Sequence, residues 1–123
     1  MNKLFFLIFF VGCSVVGFSQ QGKKEAISLS KEELVHAKTI GMYTFTLPEG
    51  NTPEKVSENA RYYTMYFKVQ YNADTRDASI NMVSNDEKSR HIICRFLVAS
   101  GVEKVLVNDK ASNVEDFFQT YLK

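Results

Sequence analysis

Apolar residues recur at helical spacing most clearly in residues 84–108, SNDEKSRHIICRFLVASGVEKVLVN. Ile92, Ile93, Phe96, Leu97 and Ser100 stand one, three and four positions apart, which gathers them on one helix face, while Lys88, His91 and Arg95 fall on another side and should meet solvent. Ser84 and Glu87 have the spacing of a capping box, and Asp86 adds negative charge at the positive end of the helix dipole, so the helix is expected to start near Asn85. Gly101 suits the left-handed turn that ends a helix. The β-branched run 102–107 then predicts a strand with apolar residues on both faces, as needed where both are covered.

Alternation with period two predicts the other strands. Over 42–47 it places Tyr43, Phe45 and Leu47 on one side, and over 62–71 it places Tyr63, Met65, Phe67, Val69 and Tyr71 on one side. The turn formers NADTRD at 72–77 lead straight into Ala78, Ile80 and Met82, which predicts a hairpin. Ser30 with Glu33 repeats the capping-box spacing before a short helix ending by Gly41. Thr52-Pro53 reads as an N-cap followed by proline in the first turn, opening a helix over 53–60 with Val56 inward. After a turn at 108–110, a capping box of Ser112 and Glu115 precedes Val114, Phe117, Phe118, Tyr121 and Leu122, an amphipathic C-terminal helix. The order is α+β, a ferredoxin-like βαββαβ sheet with an additional C-terminal helix; were 53–60 a loop, it would be a β-hairpin followed by helix, strand and helix.

The N-terminus changes the picture of where this domain resides. Lys3 followed by LFFLIFFV, with small residues at Gly17 and Ser19, has the layout of a secretory signal peptide over 1–19, cleaved before Gln20. A polar, aperiodic leader over 20–29 and a single domain over 30–123 follow. Export to the periplasm or the extracellular space is expected. The alternative is a membrane-anchored lipoprotein, because Val11-Gly12-Cys13-Ser14 partly resembles the lipobox of bacterial lipoproteins; a membrane partner is expected only if Cys13 is lipidated. Loss of Lys3 with the signal leaves equal numbers of acidic and basic side chains. Without basic excess the chain lacks the electrostatic attraction behind most nucleic-acid affinity, and no nucleic-acid partner is expected. Cys94 becomes the single cysteine, incapable of an internal disulfide and expected as a buried thiol.

Candidate chemistry is sparse. The ferredoxin-like order is shared with small heavy-metal carriers that hold a soft ion between two cysteines, yet the loop after the first predicted strand, LPEGNTPEK, has none. His36 and His91 have no second ligand at a chelating interval, and Asn72, Asp74 and Asp77 lack the glycine and distal glutamate of a calcium loop, so neither metal nor other cofactor is expected. Ser28 and Lys31 have S-x-x-K spacing without its companion motifs. Two surfaces remain. Lys88, Arg90, His91 and Arg95 form a basic edge able to receive an anionic group, and Tyr62 and Tyr66, pointing away from the expected core side of a strand, suggest an interaction surface. The reading is an exported, non-enzymatic binding domain for a partner protein or small ligand, with self-association open; the alternative is a small periplasmic enzyme or ligand carrier with a site assembled from scattered residues.

Overall fold

The chain builds a six-stranded mixed sheet with four helices, described over residues 23–123 in a computed structural model. The expected signal peptide, its expected cleavage point and Cys13 lie outside the described residues. In chain order the elements are β1 (Glu25–Ile27), α1 (Lys31–Ile40), β2 (Met42–Thr46), α2 (Pro53–Ala60), a 3-10 turn (Arg61–Tyr63), β3 (Phe67–Asn72), β4 (Asp77–Met82), α3 (Glu87–Ala99), β5 (Lys104–Val107), β6 (Lys110–Asn113) and α4 (Val114–Phe117), which runs on into a π-helical turn (Phe118–Leu122). The strand order is β3-β4-β2-β1-β5-β6, with β1 and β5 parallel and every other pair antiparallel.

One face of this sheet carries the core. Tyr43 lies opposite Ile80, Phe45 opposite Ala78 and Ala26 opposite Val105, so alternate residues of β1, β2, β4 and β5 share a side. All four helices pack there, through Leu34 and Ala37 of α1, Val56 of α2, Ile93, Phe96 and Leu97 of α3, and Val114 and Phe117 of α4. The other face is polar over β2, β3 and β4, with Thr44, Ser79 and Gln70 in adjacent positions. Phe45 meets Phe117 edge-on at 5.8 Å and Phe67 meets Phe96 edge-on at 6.1 Å, the favoured geometry for aromatic quadrupoles.

Several elements match the sequence pattern in detail. Ser30 caps α1 in a complete capping box with Glu33, and Gly41 ends it at φ 76°, a conformation that side chains rarely adopt. Thr52 caps α2 with Pro53 in the first turn. Asn72 Oδ1 accepts from the Asp74 and Thr75 amides, holding the β3–β4 turn.

Five expectations are corrected. The supposed leader supplies β1, a central strand whose Ala26 is 0% exposed, because Ser28 N donates to the Leu106 carbonyl and Glu103 N to the Lys24 carbonyl. Residues 62–66 are not strand: Tyr66 N donates back to the Tyr63 carbonyl, closing a turn, and Met65, expected inside, is 78% exposed. The cap of α3 is Asp86, accepting from Ser89 N, and not Ser84; that of α4 is Asn113, accepting from Asp116 N, while Ser112 lies in β6. Finally, a ferredoxin-like order would set β5 directly beside β2, and here β1 stands between them.

Candidate functional site

The Asp86 cap fixes where α3 begins and therefore which residues it turns outward. Ile93, Phe96 and Leu97 go to the core, and Lys88, His91 and Arg95 stand exposed on the other side. That outer side borders an open groove of about 680 Å³. Lys88, His91 and Arg95 line it with the apolar Ile92, Val98 and Ala99, while α4 contributes Val114 and Glu115 and the 3-10 turn contributes Tyr63. Three of the four residues expected on the basic edge thus share one concavity.

Arg90 does not belong to it. Its side chain is buried, with the residue 8% exposed, because its position on α3 points toward the C-terminal turn. Nε donates to the Leu122 carbonyl at 2.6 Å, one Nη to the Asn85 carbonyl and side chain at 2.8 and 3.1 Å, and the other to the Lys123 carbonyl at 3.4 Å. Arg90 is a clamp, not a surface cation.

His91 is held on two sides. Its ring lies nearly parallel to Phe118, centroids 4.0 Å apart, and Nε2 is 3.0 Å from Glu115 Oε1. Glu115 Oε2 also accepts from Gln119 Nε2 at 3.0 Å. The hydrogen bond with His91, then that from Gln119, holds the Glu115 carboxyl below its ordinary range. Sequence reading missed this pairing, since Glu115 looked like a helix cap and stands 24 positions from His91.

Cys94 borders the same groove but offers little chemistry. Burial, and then the Glu115 charge, pushes its thiol up to about 12, and Sγ lies 3.9 Å from the Val114 carbonyl. A thiol so protonated is a poor nucleophile at neutral pH. His36 stands apart on α1, exposed beside Ile40 and Met42. Among the described residues no group of three His, Cys, Asp or Glu side chains is arranged to hold a metal ion.

Tyr62 and Tyr66 lie outside any strand and differ in exposure. Tyr62 is 67% exposed on the 3-10 turn, with the Arg61 guanidinium 5.1 Å from its ring centroid, whereas Tyr66 is half-buried against the core. No described helix is long and apolar enough to cross a membrane. Comparison of the chain with protein-family models, with curated proteins and with solved structures returns no match.

Proposed function

We propose that this chain is an exported binding domain that takes a small amphipathic anion into the α3 groove. The observation that carries the reading is the co-location of Lys88, His91 and Arg95 with Ile92, Val98 and Ala99 around one open concavity of about 680 Å³, a size within the range of small-molecule sites. Lys88 and Arg95 are seven residues apart, about 10 Å along a helix, so either cation can meet a carboxylate or phosphate while the apolar positions receive a hydrocarbon or ring. Glu115, paired with His91, adds one negative charge and disfavours polyanions. Export is supported by the signal-like pattern of residues 1–19.

The fold supports a finer reading as well. Without β1 the remaining order β5-β2-β4-β3 is that of a ferredoxin-like unit, so we read the sheet as such a unit opened by one inserted strand and extended by β6.

NMR titration with octanoate, using octanol as the neutral control, tests the binding reading. Octanoate is expected to move amide signals of residues 88–99 and 114–115, and Lys88→Gln with Arg95→Gln to weaken it about tenfold together. Equal responses to octanoate and octanol, or none in the groove, would overturn it.

A further inference from the structure

The second feature that calls for a partner is the β3 edge of the sheet, remote in sequence from the groove and independent of the ligand reading. Val83 N donates to the Tyr66 carbonyl, whereas Met82 N donates to the Gly41 carbonyl. Parity along the antiparallel ladder therefore turns the backbone groups of Lys68, Gln70 and Asn72 toward β4 and those of Phe67, Val69 and Tyr71 outward. No described residue is hydrogen-bonded to these outward N–H and C=O groups.

Sheet edges are normally blunted by proline, a bulge, shortness or several charges. β3 has little of this: it is six residues long, pairs with β4 through six consecutive positions without a bulge, lacks proline, and its one charge is Lys68. The opposite edge, β6, is only four residues long and passes directly into α4. Beside β3, a groove of about 340 Å³ against α2 leaves Val69 and Tyr71 only half covered.

The register of this edge is self-complementary. Placed antiparallel about a two-fold axis at Val69, two copies oppose Val69 to Val69 and Phe67 to Tyr71, with hydrogen-bonded pairing at all three positions. On the polar face Lys68 then falls opposite Gln70 of the other copy, so the single cation meets no like charge. We propose that β3 is the dimerisation edge of this protein, joining two six-stranded sheets into one through a second copy of the chain.

Analytical ultracentrifugation of the full chain, expressed with its N-terminal segment and purified as the cell processes it, tests this. The wild type is expected to sediment as a dimer. Val69→Pro deletes an outward N–H while sparing the bonds to β4, and should give a folded monomer. Gln70 is exposed, so its substitutions should leave the monomer fold unchanged: Gln70→Glu, opposite Lys68, should tighten the dimer several-fold, and Gln70→Lys should weaken it several-fold. If Val69→Pro fails to fold, the opposite responses of the two Gln70 variants decide the matter. A wild type that stays monomeric up to its solubility limit, as it would if the edge served a foreign peptide, overturns the proposal. So does a dimer indifferent to the charge at position 70.

Discussion

Arg90 Nε donates to the Leu122 carbonyl at 2.6 Å, so a guanidinium near the start of α3 holds the end of the chain. That turn is π-helical, and Arg90 reaches both its Leu122 carbonyl and the Lys123 carbonyl that follows. Arg90→Met keeps most of the apolar stem but removes every donor. It is expected to lower unfolding stability by about 2–4 kcal/mol, since buried acceptors are left unsatisfied. Lys88→Met, on the exposed side of the same helix, should change it by no more than about 0.5 kcal/mol. Urea denaturation of the two variants checks the contrast, and equal losses would contradict the assignment of Arg90 as a clamp.

Phe96 carries the core contact of α3. It is fully buried and meets Phe67 edge-on, so it ties the helix to the strand at the sheet edge. Phe96→Ala should cost about 3–5 kcal/mol, a large part of the roughly 5–15 kcal/mol that holds a domain of this kind together. A thermal melt little changed by the substitution would refute the packing described.

The long apolar patterns were legible in the sequence, and the local competitions were not. The 3.6-residue period of α3 dictated its buried face because burial of Ile93, Phe96 and Leu97 dominates its energetics. Alternation over 62–71 misled at its first half, where a tight turn from Tyr63 to Tyr66 outweighs the strand preference of aromatic residues. Cap identity was ambiguous because Ser84, Asn85 and Asp86 are all good caps, and only the packing of α3 selects Asp86. In the groove, Lys88, His91 and Arg95 followed from helical spacing, whereas Glu115 and Tyr63 arrive from distant elements and leave no local signal.

Acid should loosen the caps. The Glu33, Asp86 and Glu115 carboxyls are each held below their ordinary values of 4.5, 3.8 and 4.5. Bonds with Ser30 and with Ser89 cause this at the two helix starts, and the bond with His91 does so on α4. A carboxyl with a lowered folded pKa is protonated more readily in the unfolded chain. Its contribution is therefore complete above the ordinary value and is lost as pH falls through the lowered one. The melting temperature should hold from neutrality to about pH 5 and fall progressively below it. Asp86→Asn retains a cap acceptor but cannot titrate, and should make that fall shallower. A melt unchanged down to about pH 3 would contradict the cap assignments.

The Cys94 thiol should be inert in the folded chain. Its rise from an ordinary 9.0 to about 12 leaves roughly a thousandfold less thiolate at neutral pH, and the residue is only 7% exposed. Labelling by a disulfide reagent near pH 8 should be slow in buffer and fast in urea, with no disulfide-linked dimer on a non-reducing gel. The raised value also means that the stability it contributes is complete below about pH 9 and lost as pH climbs toward 12. Equal labelling rates in buffer and urea would show the site to be open.

The least visible strand is expected to be among the most necessary. β1 has three residues and one fully buried side chain, Ala26, too little pattern for any periodicity to announce it. Yet it pairs with β5 at three positions and with β2 at Ile27 opposite Thr46, so it is the hydrogen-bonded link between the two halves of the sheet. A chain beginning at Ser30 would leave the facing backbone groups of β5 unpaired beside an apolar core, and closing the gap would require β2 and β5 to meet directly. Such a chain should lose its cooperative melt, while one beginning at Lys23 should keep it. Ala26→Asp, which buries a carboxylate opposite Val105, should cost more than about 3 kcal/mol in the full chain. A cooperative melt in the chain from Ser30 would mean that β2 and β5 can close the sheet without β1.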